Sequence, residues 1–201
     1  EGTVGLQSIF LIGIAFLLVA GLATLSATAE TDVRLAGVVR VIDGDTVEID
    51  ELRIRIFGID APETGQFCLD AKGSRYDCAK VATRSLERLS AGGLSCSGSQ
   101  RDEYGRLIAT CLDPNGIDVA AMLVATGRAW AFRRYSDEYD AQEDEARIAK
   151  IGLWAADNVP PWKFRARRWQ VAQQKSPNGC PIKGNISKAG KIYHTPWSRS
   201  Y

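Results

Sequence analysis

Between Arg34 and Ile59 the chain carries three short β-forming segments, so close together that only tight turns can join them. The segments are Val38–Val41, Thr46–Ile49 and Leu52–Phe57, in which Val and Ile alternate with Arg and Glu. Alternation at period two predicts strands that bury one face. The Asp-Gly and Asp-Glu pairs between the segments supply the turns. We therefore expect three consecutive strands in this region.

Two more strands and three helices follow. They are a helix over Asp77–Leu89, strands over Leu94–Ser97 and Leu107–Leu112, a helix from Asp118 to a stop at Gly127, and a helix over Asp137–Ile151 capped by Ser136. Five strands with a helix after the third are the order of an OB barrel. A chain of 201 residues has room for one such domain plus appendages. The predicted fold class is α+β: a five-stranded OB-fold barrel with about three helices and a basic C-terminal extension.

Charge is divided unevenly along the chain. Residues 158–201 carry nine Lys or Arg and no Asp or Glu, whereas residues 30–157 carry 16 Lys or Arg against 23 Asp or Glu, a net charge of −7. An acidic body therefore precedes a basic extension. The one histidine, His194, excludes a multi-histidine metal site and argues against a Ser-His-Asp mechanism, so acid–base chemistry falls to carboxylates, Lys, Tyr or Cys. We interpret His194 as structural.

Residues 1–29 have the composition of a targeting segment. Ile9–Ala23 is apolar and uncharged, and small residues follow at Ala27 and Ala29. Such a run before an A-x-A pattern is typical of a secretory signal, and it is short for a spanning helix of about 20 residues. We expect a cleaved signal or, as the alternative, a membrane anchor through residues 9–23. In both cases the body at 34–157 would be exported: secreted, periplasmic or held in the cell envelope.

The five cysteines fit an exported chain, in which disulfides form readily. Cys68 and Cys78 bracket a short loop, and Cys96 and Cys111 flank a predicted hairpin. We favour these two pairs, which leave Cys180 without a partner, although four cysteines allow three pairings and the sequence does not choose among them. The chain has no Cys-x-x-Cys pair and no histidine near these cysteines, which argues against a zinc site.

The segment Ile42–Thr46 (IDGDT) has two interpretations. Asp-Gly is among the strongest short-range hairpin signals, so the segment can be a turn and nothing more. Asp45, however, begins the next predicted strand and would direct a carboxylate toward the side of the barrel.

The following strand adds charged groups. Arg53 and Arg55 lie on one face of it at period two. An arginine facing inward between isoleucines needs an anionic partner, so an internal ion pair with Asp45 or Asp60 is one interpretation. Asp60 and Glu63 then end the strand within an Ala-Pro turn, which places two more acids near one point.

A third segment, Asp102–Arg106 (DEYGR), lies at the tip of the second predicted hairpin and by itself is an ordinary turn. Together, the three segments bring three carboxylates and two arginines onto barrel elements. Neighbouring carboxylates repel unless a cation lies between them, and calcium takes oxygen ligands. Guanidinium groups match phosphates, and a free carboxylate can activate water. The combination predicts attack on a phosphodiester.

In this order and spacing, the three segments resemble the staphylococcal nuclease (thermonuclease) family. The resemblance spans roughly Ala36 to Trp154 and includes Gly152–Trp154 (GLW), which is similar to the end of the family's last helix. It implies calcium-dependent hydrolysis of DNA and RNA, in which water attacks phosphorus, the 5′ oxygen leaves and 3′-phosphate ends remain.

The resemblance also implies a role for each matching residue. These are Arg55, Glu63 and Arg106 as catalytic residues with Glu63 the general base; Asp45, Asp60 and the Ala61 carbonyl as calcium ligands; Asp43 as a supporting acid; and Tyr104, Trp130, Phe132 and Tyr135 as substrate-binding residues. The family commonly has Thr where this chain has Ala61. The three later aromatics depart from the family spacing by about one residue, and the alternative is that they are core or rim residues. A loop bearing Cys68 and Cys78 replaces the family's lysine-rich loop.

The extension at 158–201 is a separate question. Pro161–Trp169 interleaves aromatic and basic residues, which suits either a nucleic-acid surface or a helix docked on the acidic body. Cys180–Pro196 resembles a small module found after nucleases and in exported bacterial proteins, and we expect that module to continue past Tyr201.

Three functions compete at this point. The first is an exported, monomeric, calcium-dependent nuclease acting on DNA and RNA. The second is a non-catalytic OB-type nucleic-acid-binding module, and the third is a cell-envelope anchor that carries the nuclease as a passenger. The presence of all three carboxylates and both arginines favours the enzyme.

Overall fold

The computed structural model describes residues 33–176, 178–187, 190–197 and 201. The β-strands are β1 (Val33–Gly37), β2 (Arg40–Val41), β3 (Thr46–Ile49), β4 (Leu52–Ile56), β5 (Ile59–Asp60), β6 (Cys68–Leu69), β7 (Arg75–Tyr76), β8 (Leu94–Arg101), β9 (Leu107–Leu112), β10 (Trp130–Ala131), β11 (Lys183–Ser187) and β12 (Gly190–His194). The helices are α1 (Cys78–Leu89), α2 (Val119–Ala125), α3 (Asp140–Ile148) and α4 (Pro161–Lys175), with a 3-10 turn at Gly152–Ala155.

Six strands form one sheet in the order β1-β8-β9-β4-β3-β2. Because β1 and β2 are separated by two residues only, both edges of the sheet belong to one continuous stretch of chain, and the sheet curls toward closure. The first predicted strand is therefore corrected. Val38 is 91% exposed where the chain changes partner from β8 to β3, so the predicted strand over Val38–Val41 becomes a two-residue strand preceded by a separate one.

The barrel core is apolar and is closed by helices. Val47, Ile54, Ile56 and Leu107 are 0–1% exposed, and α1 and α2 add Leu86 and Leu123 to the same cluster. The sequence-based α+β class with an OB-like barrel and three helices on its body is confirmed, and α4 follows in the extension.

Helices α1 and α2 start where capping residues predict. The side chain of Asp77 accepts from the backbone N–H of Lys80, and that of Asp118 accepts from the N–H groups of Ala120 and Ala121. Their side-chain oxygens satisfy amides that have no partner within the helix.

Helix α3 is shorter than predicted. It spans Asp140–Ile148, its N-cap residue is Tyr139 rather than Ser136, and it has no side-chain cap. The Ser136 hydroxyl accepts instead from the Glu138 N–H. Tyr139, at the helix start, is 2% exposed and donates its hydroxyl to Asp118 at 2.8 Å. Burial of this tyrosine under the barrel fixes where the helix begins.

Both predicted disulfides are present. Cys96 and Cys111 lie directly opposite each other in the β8–β9 pair, and Cys68–Cys78 joins β6 to the start of α1. Cys180 is free and exposed.

The predicted signal or anchor at 1–29 lies outside the described residues. Within the described ranges, no helix combines the length and the apolar character needed to cross a bilayer.

Candidate active site

The barrel strands bring Arg55 between two aspartates. Thr46 of β3 pairs with Arg55 of β4, so Asp45, one residue earlier, lies beside that arginine. Arg55 donates from Nη1 to Asp45 Oδ1 at 2.7 Å and from Nη2 to Asp60 Oδ1 at 3.3 Å. Asp60 is held by the short β5–β10 pair, in which it is opposite Trp130. The arginine therefore links two separate parts of the barrel.

The inward orientation predicted for this arginine is wrong. Ile54 and Ile56 fill the barrel interior, so Arg53 and Arg55 both face away from it. The side chain of Arg53 is 64% exposed, with Glu48 at 3.8 Å, and it lies apart from the site. The expected ion pair exists nevertheless, and Arg55 makes it with both aspartates at once.

Asp45 is buried and fully hydrogen-bonded. Its Oδ1 accepts from the Thr46 hydroxyl at 3.0 Å, in addition to Arg55, and its Oδ2 accepts from the Ala61 N–H at 2.9 Å. Burial opposes ionisation, but Arg55 and these hydrogen bonds outweigh it, so the pKa of Asp45 lies below its usual value. Asp45 is therefore a carboxylate at neutral pH.

Asp43 supports this carboxylate from behind. It accepts from the backbone N–H of Asp45 at 3.1 Å. Burial, with the negative charge of Asp45 next in effect, raises the pKa of Asp43 to about 7. The position is compatible with the supporting role that the family resemblance implies.

Asp60 and Glu63 form an acidic pair with shared surroundings. Asp60 is 0% exposed, and burial raises the pKa of both carboxyls while neighbouring arginines oppose the rise. The Ala-Pro turn between them is held by Gln66, whose side-chain carbonyl accepts from the Glu63 N–H at 3.0 Å. The Gln66 amide also donates to the Val159 carbonyl at 2.6 Å, which ties this turn to the start of the extension.

Arg106 of the β8–β9 hairpin reaches the Thr46 hydroxyl, which itself donates to Asp45. Its Nε donates to Asp102 at 2.7 Å, and its Nη1 is 3.3 Å from the Thr46 hydroxyl. Because β9 runs parallel to β4, Arg106 stands next to the strand that carries Arg55. Tyr104, at the hairpin tip, is 69% exposed, with its ring centre 5.5 Å from the Arg106 guanidinium carbon.

The predicted substrate-binding aromatics divide into two groups. Trp130 is 3% exposed and packs edge-on against Trp154 and Trp162. It is a core residue, and its predicted role as a substrate contact is wrong. Phe132 is half-buried and stacks on Trp162 at 5.8 Å, and Tyr135 is 67% exposed. Of these three aromatics, only Phe132 and Tyr135 keep ring surface that a ligand can reach.

Sequence reasoning missed two residues that contact the site. Arg165 of α4 donates to Asp60 and Glu63 at 2.6–3.0 Å. Gln66 carries no sequence signal for its role. Arg165 belongs to the basic and aromatic run that suggested a docked helix, but nothing in that run identified its partners.

The donor set fits calcium in its chemistry. Two carboxylates and the Ala61 carbonyl are hard oxygen ligands, which calcium prefers. Among the described residues, no group of three or more His, Cys, Asp or Glu side chains is arranged to hold a metal, so the shell would need the backbone carbonyl and water. The Ala61 N–H bond to Asp45 fixes that peptide beside the carboxylate.

Two clefts accompany the barrel. One of about 480 Å³ adjoins the site and is lined by Asp43, Thr64, Lys80 and Arg84 among others. The larger one, about 860 Å³, lies between β1, β2 and the end of α1 and contains none of the candidate residues. The smaller cleft is the one next to the charged cluster, because its lining includes Asp43 and Thr64, which adjoin the cluster in sequence.

A family model described as staphylococcal nuclease homologue matches residues 53–156. The chain belongs to the staphylococcal nuclease family. Residues Arg53–Ile56 of β4, both later site segments and all three body helices fall within the match, whereas Asp43 and Asp45 precede it. This confirms the resemblance and the enzyme class expected from the sequence, a nuclease that hydrolyses phosphodiester bonds.

Several relatives share this family. An Escherichia coli protein described as an uncharacterized endonuclease is 37% identical over 139 residues, covering 65% of the chain and 84% of that protein. A Shigella flexneri micrococcal nuclease is 35% identical over 145 residues, covering 64% and 78%. The succinoglycan biosynthesis protein ExoI of Rhizobium meliloti (strain 1021) is 36% identical over 147 residues, covering 71% and 75%.

Proposed function

We propose that the protein is an exported, calcium-dependent nuclease that cleaves DNA and RNA at the cluster around Arg55. The observation that carries the proposal is the pairing of Arg55 with both Asp45 and Asp60, beside Glu63 and Arg106. Buried carboxylates without a positive partner are costly. Here arginines and carboxylates lie within a few ångströms of one another. The carboxylates suit a divalent cation, and the arginines suit a phosphate bound beside it.

Asp45, Asp60 and the Ala61 carbonyl would hold the calcium ion. When bound there, calcium would offset the charge of a phosphate and favour deprotonation of water. Asp45 is suited to this role because its hydrogen bonds keep it ionised, and Asp43 fixes its backbone. Loss of the threonine hydroxyl that the family commonly has at Ala61 leaves the carbonyl ligand unchanged.

Arg55 and Arg106 would bind the scissile phosphate. Both are partly accessible, with side-chain exposures of 19% and 22%, so each can turn a guanidinium edge toward a ligand while keeping its aspartate partner. Charge grows on the phosphoryl oxygens as water attacks, and fixed guanidinium groups stabilise it without reorganisation.

Glu63 would accept the proton of the attacking water. Its side chain is 24% exposed, which gives a water molecule access, and burial raises its pKa toward the range where a carboxylate is a better base. The P–O bond to the 5′ oxygen then breaks, and that oxygen takes a proton from water and leaves as a hydroxyl. Tyr104, Phe132 and Tyr135 would contact the neighbouring nucleotides.

Export and a monomeric state complete the proposal. Two disulfides in a chain of this size favour an oxidising compartment. Retention in the membrane through residues 9–23 is the alternative to release.

Cleavage of single-stranded DNA with calcium or with a chelator tests the proposal. The matched pair is Arg55→Gln and Arg53→Gln, since both arginines belong to β4 and only one lies in the cluster. We expect activity to disappear with the chelator, Arg55→Gln to lower it on the order of 10²–10³-fold, and Arg53→Gln to retain it. Thermal unfolding of each variant separates loss of chemistry from loss of fold. Calcium-independent cleavage, or equal effects in the two folded variants, would reject this site.

A further inference from the structure

Helix α4 delivers a third arginine to the carboxylates. Arg165 donates from Nη1 to Asp60 Oδ1 at 3.0 Å and to Glu63 Oε1 at 2.6 Å, and from Nη2 to Asp60 Oδ2 at 2.8 Å. We call these three hydrogen bonds the Arg165 clamp. The clamp engages both oxygens of Asp60 and one of Glu63.

The clamp is held in place by packing. Pro161 at the start of α4 is buried, and Trp162 contacts Trp130 at 6.4 Å and Phe132 at 5.8 Å between ring centres. Residues three apart on a helix share a face, so seating Trp162 on the barrel directs Arg165 to the same side. The arginine is therefore a fixed part of this surface, with its side chain 23% exposed.

A guanidinium in this position and a divalent cation need the same oxygen atoms. Calcium coordination requires free lone pairs on its carboxylate ligands, and a general base requires a free oxygen facing water. Asp60 accepts three hydrogen bonds over its two oxygens, one from Arg55 and two from Arg165, so about one of its four lone-pair sites is left for a cation while the clamp is closed. Glu63 Oε1 accepts from the same Arg165 nitrogen that binds Asp60, which holds the Glu63 side chain against the guanidinium.

We propose that Arg165 is an internal competitor of the divalent cation, so that the site admits calcium only when the Arg165 clamp opens. The inference rests on the proposed function, because it takes Asp60 and Glu63 as ligand and base. If the open form is a small fraction of molecules, the apparent dissociation constant for calcium exceeds the intrinsic one by the inverse of that fraction. The extension thereby sets the calcium concentration at which the enzyme works.

Calcium binding to the full chain, measured by titration calorimetry without nucleic acid, tests the competition directly. Arg165→Gln removes the clamp, and Arg167→Gln is the matched control, because Arg167 lies on the exposed side of the same helix and carries the same charge. We expect Arg165→Gln to tighten calcium binding on the order of tenfold relative to Arg167→Gln. Arg165→Lys keeps the positive charge but loses the paired N–H groups of the guanidinium, so its calcium affinity should lie between those of Arg165→Gln and Arg167→Gln.

The calcium dependence of DNA cleavage gives a second readout. Arg165→Gln should reach half of its maximal rate at a lower calcium concentration than Arg167→Gln. Equal or weaker calcium affinity in folded Arg165→Gln would overturn the competition while leaving the proposed nuclease intact. If cleavage falls in Arg165→Gln at saturating calcium with unchanged affinity, Arg165 is a substrate contact and the competition is wrong. If no variant binds calcium, both the competition and the calcium part of the proposed function fail.

Discussion

Asp60 illustrates, at the scale of single residues, what local sequence can and cannot predict. Arg55, Asp60 and Glu63 lie within one short stretch of sequence, so the three charges could be placed together from sequence. Arg165 is 105 residues from Asp60 in the chain, and no pattern specifies which surface α4 meets. A contact over that distance depends on how the aromatic residues around Trp162 pack.

Gly44 is required for close approach next to the site. A Cβ there would lie 2.7 Å from the Ala61 Cβ and 2.9 Å from the Ala82 Cβ, distances that force the barrel and α1 apart. We expect Gly44→Ala to destabilise the fold by about 1–3 kcal/mol and to lower activity, because Asp45 and Ala61 would separate. Urea unfolding measures the first effect. Gly184→Ala, where the added Cβ meets only ordinary contacts of 3.5 Å, is the control and should change stability little.

At the scale of elements, capping residues and alternation predicted which helices and strands form better than where they begin and end. Asp118 caps α2 at the predicted start of that helix, and Asp77, where the first helix was predicted to begin, caps α1. The start of α3 was wrong by three residues because tertiary burial of Tyr139 outweighs the cap signal of Ser136. The split between β1 and β2 was missed for a related reason: a strand that bends to pair with two partners has no distinctive pattern of its own.

The β8–β9 hairpin carries an acid-sensitive turn. Asp102 accepts from the backbone N–H groups of Tyr104 and Arg106 and from the Arg106 side chain. Burial opposes ionisation of Asp102, but these hydrogen bonds and the charge of Arg106 outweigh it. The pKa of Asp102 therefore lies below its usual value of 3.8. Its stabilisation is therefore complete above about pH 4 and is lost as pH falls through the folded pKa.

We expect Asp102→Asn to be less stable than the wild type at pH 6, with the difference shrinking below pH 4. Chemical unfolding at a series of pH values measures it. A difference independent of pH would contradict the assignment. Glu145→Gln, at an exposed site on α3, is the substitution control.

At the scale of the whole molecule, the two disulfides reinforce different parts of the fold. Cys96–Cys111 joins neighbouring strands of the main sheet, whereas Cys68–Cys78 closes the segment between Glu63 and α1. Their pairing was favoured from the sequence because each pair flanks a single local turn or loop, although the sequence did not exclude the other two pairings. The position of the extension was not, since it follows from packing between distant parts of the chain.

Loss of the Cys68–Cys78 bond should loosen the loop that follows Glu63. A ten-residue separation corresponds to a stabilisation of about 2–3 kcal/mol from restriction of the unfolded chain. We expect Cys68→Ser/Cys78→Ser to lose about this amount in urea unfolding under oxidising conditions. Cys180→Ser, which removes only the free thiol, serves as control. Unchanged stability of the double variant would mean that the loop is held by its other contacts alone.

The rate of single-stranded DNA cleavage by Glu63→Gln at saturating calcium tests the central claim most directly. Glutamine keeps the size of the side chain but cannot accept the proton of water, and Glu145→Gln is the matched control on an exposed helix face. The account predicts a loss of about 10²–10⁴-fold for Glu63→Gln and a wild-type rate for Glu145→Gln. Cleavage by folded Glu63→Gln at the wild-type rate would contradict it and place the chemistry away from this cluster.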